Sequence, residues 1–145
     1  MQISFLGHSR CPSTLIKVPL FMSRVMAGFP SPAQDYIERT LDLNELCIEH
    51  PAATYFVRAE GDSMEGVGIF SRDVLVVDRS LKAANGDIVI ACVDGEFTVK
   101  ELSTRPTLQL LAHNPAYTPI EFGPESTLEL FGVVTTVIHS VRQRG

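Results

Sequence analysis

The chain has 145 residues, 45% of them hydrophobic and 20% charged, enough for one domain with a real core and unlike a disordered tail. Its 12 basic and 17 acidic residues leave a formal net charge of −5, which argues against coating nucleic acid through phosphate contacts alone. No apolar run approaches the roughly 18 residues of a membrane span, so no membrane partner is expected.

The charge is unevenly spread. Residues 1–30 hold Arg10, Lys17 and Arg24 and no acid. A secretory signal needs about 7–15 continuous apolar residues, and Lys17 and Arg24 break the apolar stretch between them. Residues 1–31 are expected to form a flexible basic arm able to lie on an acidic domain of residues 32–145, with a transit-like peptide as the lesser alternative. Cys11, Cys47 and Cys92 are odd in number, with no CxxC among them, which fits a reducing compartment. His8, His50, His113 and His139 are scattered without metal-ligand spacing, so neither a metal nor any other cofactor is expected.

Gly28, Pro30 and Pro32 separate the arm from the rest of the chain. Pro32 to Asn44 is expected to hold one short helix, with Ser31 as its cap and Tyr36, Ile37 and Leu41 near one face. Strands are then expected at Thr54–Ala59, Asp73–Asp78, Ile88–Val93, Glu96–Leu102 and Thr107–Ala112. Asn85-Gly86-Asp87 is a turn signal, and Asp94-Gly95 between two strands predicts a hairpin with a type I′ turn. Asn114-Pro115 and Thr118-Pro119 mark further turns. Leu128–Val141 is a long strand-forming run expected to bend near Gly132. Together these predict a mostly β fold: a compact antiparallel, partly closed sheet.

Two segments bear on chemistry. Glu60-Gly61-Asp62-Ser63-Met64-Glu65 comes directly after the first of these strands. A serine among small residues at a strand end can present a hydroxyl beside unengaged backbone N–H groups, as acyl transfer requires. The plainer reading is a serine that bonds its own turn, and no GxSxG elbow is present. Lys100 lies 37 residues further on, where alternation places it with Thr98 on one strand face and Phe97 and Val99 on the other. It is either a solvated surface lysine or a general base. The second role requires burial, since a lysine of pKa about 10.4 is protonated at neutral pH.

Gly61-Asp62-Ser63-Met64, Gly86-Asp87-Ile88-Val89-Ile90-Ala91 with Asp94-Gly95-Glu96-Phe97-Thr98-Val99-Lys100, and Phe131-Gly132-Val133-Val134 resemble the UmuD proteins of the LexA-like group of self-cleaving Ser-Lys peptidases. Gly28-Phe29-Pro30-Ser31-Pro32-Ala33, Asp35-Tyr36 and Asp42-Leu43-Asn44 extend the likeness to roughly residues 18–140. The resemblance implies the LexA/signal-peptidase-like β-domain, with Ser63 as nucleophile and Lys100 as general base. It implies an oxyanion hole from the backbone N–H groups of Asp62 and Ser63, and a scissile bond between Ala27 and Gly28. It further implies a bacterial cytoplasmic SOS mutagenesis protein that cleaves itself when stimulated by RecA filaments on single-stranded DNA. The processed homodimer would be accessory subunit to a UmuC-like Y-family polymerase, with no sequence-specific DNA binding of its own. Two departures stand out: Ala27 occupies a position that is commonly cysteine in UmuD proteins, and Glu65-Gly66-Val67-Gly68 differs from the expected acidic, glycine-rich loop. Met1 to Ser13 matches no motif.

Other classes fit less well. A LexA-like repressor needs a helix-turn-helix domain ahead of the cleavage bond, and only 27 residues precede it. A signal peptidase needs a membrane anchor. A non-enzymatic β-domain that regulates a polymerase by binding alone is the alternative left open.

Overall fold

A computed structural model describes residues 1–8, 18–21, 37–123 and 125–142. Ten strands are present among them: β1 (Gln2–His8), β2 (Val18–Phe21), β3 (Ile37–Leu41), β4 (Thr54–Glu60), β5 (Val74–Asp78), β6 (Ile88–Val93), β7 (Glu96–Ser103), β8 (Gln109–Leu111), β9 (Ile120–Glu121) and β10 (Leu128–Ile138). One α-helix, α1, spans Leu43–Cys47, and short 3-10 turns cover Pro51–Ala53 and Glu65–Val67. Eight strands form one sheet in the order β1-β4-β5-β10-β6-β7-β8-β9, every neighbouring pair antiparallel. The sheet curls into a half-barrel, so its edge strand β1 meets the distant β7, where the Val99 N–H donates to the Met1 carbonyl at 3.3 Å.

Period-two alternation explains the two apolar clusters. Ile90 joins Tyr55, Val57, Leu75, Val77 and Val99 on one side, while its neighbours Val89 and Ala91 join Leu102, Leu110 and Val133 on the other. A sheet buried on both faces at its centre reads as continuous apolar runs, as in Ile88–Val93. The β6–β7 hairpin has Asp94 at φ 49° and Gly95 at φ 87°, as the type I′ turn requires. The bend expected near Gly132 is a register shift between Leu130 and Gly132, where β10 passes from β6 towards β5.

Two expectations are corrected. Ile37–Leu41, expected to be helical, is a strand paired with Val18–Phe21. Its four-residue spacing of apolar positions fits a strand as well as a helix, and Ile37 and Thr40 are β-branched. The helix begins later, where the Asp42 side chain accepts from the Asn44 N–H at 2.9 Å and caps Leu43–Cys47; residues 32–36 lie outside the described residues. Gln2–His8, expected to belong to a loose arm, is instead a sheet strand in register with Tyr55–Glu60 of β4. Met1 and Ile3 pack on the core, and Phe5 meets Tyr55 at a tilt and Phe97 edge-to-face. Its alternation was hidden because Phe5 and Leu6 are consecutive apolar residues, with a register shift between Phe5 and Gly7.

Candidate active site

Strand β4 ends at Glu60, and Gly61 turns the chain with φ 106°, a conformation open to glycine and strained for other residues. The loop is then pinned at Met64 and Ile69, both wholly buried in the core, with the Ile69 N–H donating to the Met64 carbonyl at 3.3 Å. Ser63 lies beside these fixed points and is itself 1% exposed. Lys100 sits in β7 opposite Val89 and is 5% exposed, so the reading of a solvated surface lysine does not hold. Its Nζ is 3.1 Å from Ser63 Oγ.

The lysine has further partners. Nζ lies 2.9 Å from Thr98 Oγ1 and 3.1 Å from the Val99 carbonyl. An ammonium has three N–H donors, and Ser63, Thr98, Val99 and the neighbouring Met1 amine share them. When the amine is neutral it has two donors and one lone pair. With Thr98 and Val99 taking those two donors, the lone pair is left for Ser63. Burial pushes the Lys100 pKa below its ordinary value against the opposing hydrogen bond with the Met1 amine. The Met1 amine donates to Thr98 Oγ1 at 3.3 Å; burial, then the hydrogen bond and charge of Lys100, bring it down to about 5.

The Ser63 loop is braced from outside by the segment after β8. The His113 N–H donates to the Ser63 carbonyl and the Gly66 N–H to the His113 carbonyl, both at 2.8 Å. Asn114 Nδ2 donates to the Asp62 carbonyl at 2.9 Å, and the Tyr117 hydroxyl to Asp62 Oδ1 at 2.5 Å, which raises the Tyr117 pKa. Among the described residues no acceptor receives the N–H of Asp62 or Ser63. The structure thus brings Asp62, Ser63 and Lys100 together; Ala27 and Gly28 lie outside the described residues. Reading the sequence missed Asn114, Tyr117 and Gly66 as parts of this neighbourhood. Asn114-Pro115 signalled only a turn, and nothing local to it points to residue 62. Among the described residues, no cluster of His, Cys, Asp and Glu could hold a metal ion, and no helix is long and apolar enough to cross a membrane.

A buried lysine within hydrogen-bond reach of a buried serine has the geometry that a base and a nucleophile need. Residues 19–135 match the Peptidase S24-like family, and the chain belongs to that family. It is 57% identical to Protein SamA of Salmonella typhimurium over 124 residues, 86% of each chain. It is 52% identical to Protein ImpA of Escherichia coli over 131 residues, again 86% of each, and 48% identical to Protein MucA of Escherichia coli over 130 residues, 89% of this chain and 86% of that one. The LexA repressor of Ectopseudomonas mendocina is 41% identical over 101 residues, 69% of this chain and 49% of the repressor. These matches agree with the UmuD-like motifs in the sequence.

Proposed function

We propose that the protein is an SOS-response mutagenesis factor that cleaves its own chain between Ala27 and Gly28. The observation that carries the reading is the 3.1 Å approach of Lys100 Nζ to Ser63 Oγ inside the fold. Neutral Lys100 takes the Ser63 hydroxyl proton as Oγ attacks the Ala27 carbonyl carbon. The oxyanion that forms is stabilised by the Asp62 and Ser63 N–H groups. The C–N bond then breaks, Lys100 returns the proton to the Gly28 amine, and residues up to Ala27 remain as an ester on Ser63. Water, giving a proton to Lys100, hydrolyses the ester to the Ala27 carboxylate and restores Ser63.

The S24 family and the UmuD-like motifs support the biological setting. In this reading residues 1–31 act as the arm that delivers the bond and residues 32–145 as the peptidase domain. A RecA filament on single-stranded DNA favours the arm-in-site conformer and supplies no catalytic group. The processed chain, as a homodimer, serves a UmuC-like Y-family polymerase as accessory subunit, in the bacterial cytoplasm.

The test is intact mass after incubation with RecA, single-stranded DNA and nucleotide, for wild type and Ser63→Ala together. A product beginning at Gly28 in wild type alone is expected. An uncut wild type at neutral and alkaline pH would remove the peptidase reading and leave a β-domain that only binds.

A further inference from the structure

We propose that Asn114 is a positioning residue that aims the Ser63 N–H at the oxyanion; this rests on the Ser-Lys reading above. A trans peptide unit is planar, so the Asp62 carbonyl and the Ser63 N–H belong to one rigid plane and point in opposite directions. Whatever holds that carbonyl therefore sets the direction of that N–H. Asn114 Nδ2 donates to the Asp62 carbonyl at 2.9 Å, and the carbonyl's other partner, the Glu65 N–H, is longer at 3.4 Å. The Ser63 N–H, on the opposite side of the plane, has no acceptor among the described residues.

The asparagine is itself held. Its Oδ1 accepts from the Ala116 N–H at 2.9 Å, an Asx turn that fixes the amide group and leaves Nδ2 facing Asp62. The Tyr117 N–H donates to the Asn114 carbonyl at 3.0 Å, closing the same turn. One residue earlier, the His113 N–H takes the Ser63 carbonyl at 2.8 Å, so the planes before and after Ser63 are both tied to consecutive residues. The approach is close: a Cβ on Gly66 would lie 2.7 Å from the His113 carbonyl oxygen. Transition-state stabilisation depends on donors already oriented towards the developing charge. Asn114 supplies that orientation without touching substrate.

The experiment measures spontaneous self-cleavage of the full chain against pH for wild type, Asn114→Ser, Asn114→Ala and Ser63→Ala. Serine keeps a turn-forming oxygen but cannot span to the Asp62 carbonyl. The alkaline plateau is expected to fall about tenfold in Asn114→Ser, less than the 10²–10³ of losing an oxyanion donor outright. The pH midpoint, set by Lys100, stays in place, and thermal melting stays close to wild type. Asn114→Ala should show the same plateau loss. An unchanged plateau overturns the proposal. So does a midpoint moved along with the rate, which would place the effect on Lys100, or a rate loss that disappears when each variant is assayed equally far below its own melting temperature. If wild type stays uncut, or Ser63→Ala is cut like wild type, the Ser-Lys reading itself fails and takes this inference with it.

Discussion

Lys100 reaches Ser63 across 37 residues of sequence, and it does so on the same strand face as Thr98, whose hydroxyl lies 2.9 Å from the same nitrogen. On the proposed Ser-Lys reading, that pairing ties reactivity to proton loss from a buried amine. Because burial holds the Lys100 pKa below its ordinary value, the neutral base accumulates as pH rises, before the ordinary lysine range of about 10.4 is reached. Spontaneous cleavage should therefore rise with pH and level off with a midpoint below that value. Lys100→Arg should lose about 10²–10⁴-fold at the plateau, since a guanidinium cannot serve as base. A rate flat from neutral to strongly alkaline pH would sink the assignment.

Thr98→Val tests how the amine is held. The substitution keeps the shape of the side chain and removes an acceptor that favours the charged lysine, so the midpoint should move down. The lone pair is then less well aimed, and the plateau should drop roughly tenfold. A midpoint that moves up would mean that Thr98 acts by some route other than accepting from Nζ.

Much of this site was legible in the sequence because its parts lie on regular elements. Alternation along Glu96–Leu102 put Thr98 and Lys100 on one face, and a serine at a strand end stood out in its glycine-containing loop. Burial of Lys100 was not legible, since it depends on β6, the Met1 end of the chain and the Ser63 loop meeting around it. The brace from His113, Asn114 and Tyr117 is likewise a tertiary contact: Asn114 and Asp62 are 52 residues apart. The hairpin at Asp94-Gly95 and the bend at Gly132 could be read because local φ demands select those residues. The strand at Ile37–Leu41 could not, because its pairing with Val18–Phe21 outweighs a spacing that also suits a helix.

Strand β1 borders the site. Met1 takes the Val99 N–H, and its Cα lies 3.7 Å from where a Cβ on Gly61 would be. On the proposed self-cleavage reading, an extended segment that pairs with this edge of β7 to reach Ser63 competes with β1 for the Val99 N–H. Ile3→Asp, which weakens the packing of β1 on the core, should raise spontaneous cleavage by about threefold or more, as competition for a partly occupied site dictates. Equal rates in the variant and wild type would show that β1 does not compete.

Gly132 tests the bend. Its φ is 154°, and an added Cβ would come within 2.5 Å of Val77 Cγ1 and 3.3 Å of the Asp78 carbonyl oxygen. Val77 is fully buried in β5 and has little room to move. Gly132→Ala should cost about 2 kcal/mol, within the usual range for an overpacked core, read as a lower urea midpoint with unchanged slope. A midpoint equal to wild type would mean that the strand can unbend at no cost.

Stability should also carry a pH signature from His50 and Asp78. His50 Nδ1 lies 2.6 Å from Asp78 Oδ2, and Asp78 is 3% exposed. The hydrogen bond to Asp78 raises the His50 pKa, outweighing the opposing effect of burial. Burial pushes the Asp78 pKa up, but hydrogen bonds from Ser80 and His50 outweigh it and leave the carboxyl below its ordinary value. Linkage sets the sign. The raised His50 contributes fully below the ordinary imidazole pKa of about 6.5, and its contribution fades as pH rises through the folded value. The lowered Asp78 contributes above the ordinary carboxylate range and is lost as pH falls through its own folded value. The pair therefore supports the fold between those limits. In a proton NMR titration His50 should titrate above free imidazole, and His50→Gln should flatten the decline of melting temperature between the ordinary imidazole value of about 6.5 and that raised midpoint. A His50 midpoint at the free value would refute the coupling.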